Sequence, residues 1–523
     1  MMVSVELKFN HGFKWFEKNG IYVKGYVFDK NNNLYRNNGL TDYFRGCESE
    51  AEFRHKVEQA NGIFSVVILT DNIVYAAVDR IRTFPLFYTE TQSGIIISDD
   101  TYYIRDTLNL DNIDRLSEKE FLHTGYVTGE NTLLENVFQV QAGQYITAGK
   151  KLKKEYYFKY VVNTVFIRTY EELEKGLLEI LEDIFVRLLK SVDNRTIVIP
   201  LSGGYDSRLI AIMLKRLGYE NVVCFTYGRR DNVEVGISKE VAGKLGYRFI
   251  YVEYSDGFFD GFAEEELFVE YEKFAANHTS VIMLQDYFAV KYMQDNNLIP
   301  ADSVFVPGHS GDFIAGDHIP GCFKDKSKKY DVLKEILKIH YSLEKTGKTS
   351  KSPELRAKIS GLLNEGYSHS SFEDWDTRER QAKFIVNADR VYEMFGYEHR
   401  IPLWDHALVD FFKYLDLEYK PNKWFYDSVL EKKIFSDYNF EFEEIRKGIT
   451  FLQGIKMRIK KYLPKIIFDT YKSKRDVYCF YPVSKQLHEK MVCGDGIDVW
   501  NDNYVVACWY LESLKNAKKT GPL

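Results

Sequence analysis

Ile197-Val-Ile-Pro-Leu-Ser-Gly-Gly-Tyr-Asp-Ser-Arg208 decides the fold. The apolar run 197–201 predicts a short buried strand. Ser202-Gly203-Gly204-Tyr205-Asp206-Ser207 follows as a tight turn, and 208–217 carries apolar residues at helical spacing up to a stop at Gly218. A strand that feeds a Gly/Ser turn and then a helix start is an anion site. The glycines let the backbone approach, the N–H groups point outward, and the helix dipole favours negative charge. The Gly-Lys-Ser/Thr ending of a Walker loop is missing.

Outward from this stretch the pattern repeats. Asn221 to Gly228 predicts a second buried strand, 233–245 a helix and 247–252 a third strand. Alternating strands and helices imply a doubly wound parallel sheet with its ligand at the strand C-termini. A helix over 170–192, capped by Thr169 with Glu172 three residues on, precedes the first strand. The first ~160 residues predict a layered antiparallel sheet, with short strands at 20–28, 63–69, 73–78, 86–88 and 95–98 and a closing hairpin over 144–158.

Ser-Gly-Gly-x-Asp-Ser resembles the PP-loop of the ATP pyrophosphatases. Asn61-Gly-Ile-Phe-Ser-Val66, Asp79-Arg-Ile-Arg-Thr-Phe-Pro-Leu-Phe-Tyr88 and Ile97-Ser-Asp-Asp100 resemble the N-terminal half of glutamine-hydrolysing asparagine synthetases. The resemblance extends over nearly the whole chain. It is strongest around 60–100, 197–250 and 300–410 and weak in the first ~50 residues. It implies an Ntn-hydrolase-like α/β/β/α domain over 1–163 and a PP-loop synthetase domain over 164–523, with a helical C-terminal part.

The resemblance also implies the site. Ser202, Gly203, Gly204 and Ser207 would hold pyrophosphate, Leu201 would join them in binding the cofactor, and Thr226, Tyr227 and Gly228 would hold the adenosine of ATP. Val304-Phe-Val-Pro-Gly-His-Ser-Gly-Asp312 resembles the family's second pyrophosphate loop, which adds Gly308, Ser310 and Gly311. Asp206 and Asp312 would face Mg²⁺, two carboxylates suiting an octahedral site completed by phosphates and water. His309 falls where relatives carry Glu or a catalytic Tyr. Glu398-His-Arg400-Ile-Pro402-Leu-Trp-Asp405 fits a third family pattern and implies Glu398 as the partner that orients His309 as a base. Lys447 stands for the late lysine that relatives place on the acyl-adenylate.

One departure matters. The family's glutaminase uses an N-terminal cysteine whose α-amine is the base, whereas this chain opens Met1-Met2-Val3 and its first cysteine is Cys47. The expectation is a glutaminase fold without glutaminase chemistry, the kind of loss seen in β-lactam synthetases. Nitrogen would come as ammonia, from a partner glutaminase, or as a substrate amine.

Composition agrees with a cytosolic enzyme. The 523 residues are 45% hydrophobic and 28% charged, with net charge −6. This gives no basic footprint for nucleic acid. The six scattered cysteines lack C-x-x-C or zinc spacing, and no apolar run approaches a membrane span. The expected function is ATP-dependent amide ligation of a small-molecule carboxylate, a sugar uronic acid among those the resemblance implies. Intramolecular β-lactam or macrolactam closure and a non-catalytic scaffold are the alternatives. A homodimer is among the expected partners.

Overall fold

The computed structural model describes residues 2–92, 94–344, 352–438, 476–492, 497, 499 and 501–520. Lys447 and the Lys/Arg-rich stretch 456–461 lie outside them.

The N-terminal part holds two sheets. One has four strands in the order Met2–Glu6, Gly94–Ser98, Phe87–Glu90, Phe138–Gln139. The other runs Leu152–Tyr156, Gln144–Ala148, Val74–Val78, Asn61–Leu69, Ile21–Phe28, Phe16–Lys18, with Leu34–Arg36 paired to Ile21–Phe28. All pairings are antiparallel except that of Met2–Glu6 with Gly94–Ser98. Val67, Ala76, Val78 and Ile146 of the larger sheet share a core with Tyr88, Ile95 and Ile97 of the smaller. The central strands are buried on both faces, so they read as continuous apolar runs and not as an alternation. Their second face joins a core that continues into the rest of the chain. Two helices, Thr101–Leu108 and Arg115–Thr124, have no counterpart in the sequence reading.

Helix α1 (Tyr170–Val192) starts on the Thr169–Glu172 capping box, both bonds of which are present. Leu173, Leu177, Leu181, Ile184 and Leu188 line its buried face. The parallel sheet follows, from β1 (Ile197–Pro200), β2 (Val222–Gly228), β3 (Arg248–Glu253), β4 (Val304–Phe305) and β5 (Glu398–His399). Its order is β3-β2-β1-β4-β5, and every pair is parallel. Helix α2 (Tyr205–Arg216) follows β1 and α3 (Val233–Leu245) follows β2. The order reverses between β1 and β4. That is the crevice where open α/β sheets place their ligands.

Asn277 and His278 both take left-handed backbone (φ 42° and 53°) and end the helix Glu266–Ala276, while α4 spans Tyr287–Asp295. Asn277 joins the two parts of the chain. Its Oδ1 accepts from the Thr101 N–H at 2.9 Å, and its Nδ2 donates to the Asp99 carbonyl at 2.8 Å. His278 is buried against Thr101, with Nδ1 at 2.8 Å from its hydroxyl, and burial pulls its pKa down to about 3. It is a structural hydrogen-bonder.

The charged segment after residue 325 packs on the N-terminal part. Lys358 pairs with the buried Glu120 at 2.6 Å, Tyr341 donates to the same carboxylate, and Lys159 reaches Asn364. Replacing Asn277 by Ala removes a left-handed-tolerant residue and orphans a buried N–H. We expect it to cost about 2–3 kcal/mol in denaturant unfolding. A loss below about 0.5 kcal/mol would remove Asn277 as the joint.

Candidate active site

The loops that follow β1 and β4 meet at the switch point. They touch so closely that side chains are excluded. A Cβ on Gly308 would lie 3.0 Å from the Asp206 Cβ, and one on Gly311 would lie 2.5 Å from the Asp206 Oδ1. The glycines of the second loop are therefore required by the carboxylate of the first. Asp206 is held there by two donors, the Asp312 N–H at 2.9 Å and the Tyr426 hydroxyl at 3.1 Å.

The turn before α2 is built for an anion. Gly204 is the N-cap and supplies no side-chain cap, so the first N–H groups of a twelve-residue helix face the crevice. Ser202 and Ser207 fix the loop through Ser202 N–H to Ser207 Oγ and Gly204 N–H to Ser202 Oγ, both 3.2 Å. Arg208 ties it from behind by donating to the carbonyls of Gly203 and Gly204.

A cavity of about 350 Å³ opens at this point. Of the residues expected at the site, Leu201, Ser202, Gly204, Asp206, Ser207, Thr226, Tyr227, Gly308, His309 and Asp312 line it. Gly203 and Gly228 do not line it. Gly228 instead receives the C-terminal segment, with Arg229 N–H donating to the Val477 carbonyl at 2.8 Å. That contact brings Tyr478 into the cavity wall, its ring 6.1 Å from Tyr227. Ser310 and Gly311 do not line it either, and Gly311 lies against the Asp206 carboxylate.

His309 does not meet Glu398. Its Nδ1 stands 3.0 Å from Asp389 Oδ1. Glu398 pairs instead with Arg195 at 2.9 Å and Arg400 at 2.7 Å. Register explains the difference. Glu398 is paired with Val304 at the foot of β4, whereas His309 follows the top of that strand. Burial would raise the Glu398 pKa, but Arg400 and Arg195 hold it near 2. Burial pulls the His309 pKa down, but Asp389, with Asp286 and Asp206 beyond it, more than reverses this, and the net shift is upward from 6.5.

Several residues here carried no motif signal. Asp286, buried and raised by that burial, accepts from Tyr227 and Tyr392. Lys423 reaches Asp312 Oδ1 at 3.1 Å and Asp427 Oδ1 at 2.6 Å, and lies over the Tyr205 ring. It is a buried cation at the junction of the two loops, on left-handed backbone with φ 48°. Lys447, expected for a cationic role, is outside the described residues.

The carboxylates suit a divalent cation. Burial, and then the nearby Asp312, raise the Asp206 pKa well above the ordinary carboxylate value. A second positive charge beside Lys423 would relieve that. Among the described residues no cluster of three or more metal-ligating side chains exists. Magnesium needs only one or two carboxylates when phosphates and water complete its shell. The buried Ser310 Oγ and Asp389 Oδ2 also have no hydrogen-bond partner among the described residues.

Residues 196–299 match the family model of the queuosine biosynthesis protein QueC. The match supports a PP-loop ATP pyrophosphatase-like unit in a mixed α/β chain with a parallel sheet. No curated protein matches the chain. Solved structures similar to it include the allosteric regulatory enzyme of purine biosynthesis, at 11% identity and TM-score 0.19, covering 46% of this chain and 62% of that one. An NH3-dependent NAD synthetase from Campylobacter jejuni is 14% identical with TM-score 0.21, covering 42% of this chain and 96% of its own. A glutamine phosphoribosylpyrophosphate amidotransferase from B. subtilis is 8% identical with TM-score 0.19, covering 71% and 79%. These scores are too low to establish a shared fold.

Two outcomes follow from the electrostatics. In a histidine-selective NMR titration, His309 should titrate above 6.5. Asp389→Asn should lower that value by roughly one unit, and Glu398→Gln should leave it in place. The reverse pattern would restore Glu398 as the partner. A carboxylate whose folded pKa is raised contributes stability below its unfolded pKa of 3.8 and loses it as pH rises through the folded value. Asp206→Asn should therefore raise the Tm of the ligand-free protein at pH 8 by roughly 1–3 °C, and by less at pH 5.

Proposed function

We propose that the chain is an ATP-dependent carbon–nitrogen ligase. It adenylates a substrate carboxylate and passes the acyl group to a nitrogen nucleophile, releasing pyrophosphate and AMP. The observation that carries this reading is the meeting of the two Gly/Ser loops and their two aspartates at the switch point, with a carboxylate-paired histidine on the same cavity wall.

In this reading the acid's oxygen attacks the α-phosphorus of ATP, and the bond to the β-phosphate oxygen breaks. The N–H groups opening α2, with Ser202 and Ser207, hold the departing pyrophosphate, and Lys423 adds a fixed positive charge beside them. Asp206 and Asp312 would hold Mg²⁺, which supplies charge neutralisation at the phosphates when bound. Thr226, Tyr227 and Tyr478 enclose the nucleoside. Asp389, accepting from Nδ1–H of His309, leaves Nε2 free to take the proton that the attacking nitrogen sheds. Seating in the crevice would shield the acyl-adenylate from water.

Asp286 lines the cavity next to His309, and Asp389 stands behind His309, so the acceptor end is acidic. That field favours a nitrogen that arrives as ammonium or an alkylammonium. Cys47 is the only cysteine within 1–163. It is buried, and burial pushes its thiol up to about 11, the opposite of an activated nucleophile. We therefore assign nitrogen supply to free ammonia, an amine or a partner glutaminase, and we read the two-sheet N-terminal part as an Ntn-like domain retained without glutamine hydrolysis.

The test separates the two half-reactions. With ATP, Mg²⁺ and an accepted acid, His309→Ala should keep acid-dependent ATP–pyrophosphate exchange within a few-fold of wild type while amide formation with ammonium falls about 10²–10⁴-fold. Equal loss of both would overturn the base role. Glutamine supporting amide formation by the purified protein would overturn the assignment of nitrogen supply.

A further inference from the structure

The helical passage from Ser368 to Met394 carries Asp389, the partner of His309. It changes pitch on the way. Ser368–Asp376 is an α-helix, Thr377–Ile385 a π-helix and Val386–Asp389 a 3₁₀ turn. From 369 to 395 every residue is buried except Arg380, Ile385 and Ala388. Those three share one face, because positions five apart align in π-helical turns and positions three apart align in 3₁₀ turns. The stripe ends beside Asp389 and, through it, at His309. At helical rise it is about 12 Å long.

Arg380 is the cation of this stripe, and it is unpaired. On the same passage Arg378 pairs with Asp374 at 2.9 Å and Lys383 with Glu379 at 2.6 Å. Arg380 makes no hydrogen bond and no ion pair with a described residue. The carboxylates in its field are engaged elsewhere. Asp376 accepts from Gln381 Nε2 at 3.1 Å and lies 2.9 Å from His318 Nδ1. Glu379 is held by Lys383, and Glu120 by Lys358 at 2.6 Å. Burial would raise the Asp376 pKa, but His318, His340 and Arg380 reverse this, and the net shift is downward.

A second group points the same way. Burial raises the Tyr126 pKa, and Arg380 is the charge that opposes it most. The Tyr126 hydroxyl is buried, and no described residue bonds it. A guanidinium without a counter-ion beside a phenol hydroxyl without an acceptor suits an oxyanion. A ligand lacking that oxyanion would leave both groups unsatisfied.

We infer that Arg380 selects the substrate acid by binding a second anionic group on it, a carboxylate or a phosphate, at the end of the stripe away from His309. The inference rests on the ligase reading above. The carboxylate to be adenylated lies at the nucleotide, the body of the acid runs past Ala388 and Ile385, and the second anion meets Arg380 and the Tyr126 hydroxyl.

The test uses the full chain as wild type, Arg380→Gln and Tyr126→Phe. The nucleotide crevice is first filled with Mg²⁺ and α,β-methylene-ATP, so that its own anion site is closed to the probes. Inorganic phosphate and succinate are then titrated separately, with binding read by ligand-detected NMR. At least one should bind the wild type. Arg380→Gln should weaken it about 10–100-fold and Tyr126→Phe about tenfold, with affinity for the analogue unchanged in both. Tyr126→Phe removes a hydroxyl that bonds nothing in the free protein, so that variant stands if loss of the arginine disturbs folding. ATP–pyrophosphate exchange is run with glycerate beside 3-phosphoglycerate and with succinamate beside succinate. An acid that drives exchange should be the dianionic member of its pair, with a KM that Arg380→Gln raises by the same factor. If neither pair drives exchange, the binding arm decides. Probe binding that Arg380→Gln leaves unchanged, no probe binding with the analogue seated, or exchange driven by a monoanionic member overturns the inference and keeps the ligase reading. So does an Arg380→Gln loss confined to amide formation, which would put the anion on the nitrogen substrate. A wild type that binds no analogue removes the ligase reading itself, and the inference with it.

Discussion

The contact between Asp206 and the loop after β4 organises the molecule around it. Asp206 starts α2 from the top of β1, and the Asp312 N–H donates to its carboxylate. Those two loops can meet only because β1 and β4 are neighbours although some hundred residues separate them. The parallel sheet, its reversal at this pair, and the glycines at 308 and 311 all serve that approach. Tyr426 and Lys423, from a much later part of the chain, then close on the carboxylates: Tyr426 donates to the buried Asp206, and Lys423 pairs with the half-exposed Asp312. Burial and the nearby Asp312 hold the Asp206 carboxyl toward its protonated form, and a cation bound beside it would favour its ionisation.

The same sheet geometry sorts the other charges. Parallel strands put their C-terminal ends in the crevice and their N-terminal ends beneath it. Glu398 and its two arginines sit at the foot of the sheet, where they brace β5 against α1 through Arg400 and Ser191. Asp389 enters the crevice from the helical segment before β5 and meets His309. Charge at the foot is satisfied and structural. Charge at the top is acidic and only partly compensated, which raises the His309 pKa in spite of its burial.

Local signals were legible. The strand–turn–helix of 197–216, the Thr169–Glu172 box and the strand runs of the N-terminal part depend on neighbours within a few residues, and the structure has them. The helix of 205–216 starts three residues before its apolar periodicity does, because the loop's own Tyr205-Asp206-Ser207 forms its first turn. What the sequence could not state was register and return. Asp389 and Glu398 are nine positions apart and both acidic, and only the pairing of β4 with β5 decides which one reaches His309. The left-handed Lys423 begins a helix where propensity gives no sign of it, whereas Asn277 is a residue type that tolerates the left-handed helix end it makes. The approach of 476–478 to Gly228, which brings Tyr478 to the cavity, joins segments about 250 positions apart.

The most direct measurement is the position at which ATP is cut. With [α-³²P]ATP, Mg²⁺, an accepted acid and ammonium, the labelled product separates as AMP or as ADP. Pyrophosphate held by the loops of β1 and β4 requires cleavage between the α and β phosphates, so the label should appear in AMP, in proportion to amide formed. Label in ADP would mean that the γ-phosphate is transferred, and that the meeting of Asp206 with the second loop serves a different chemistry.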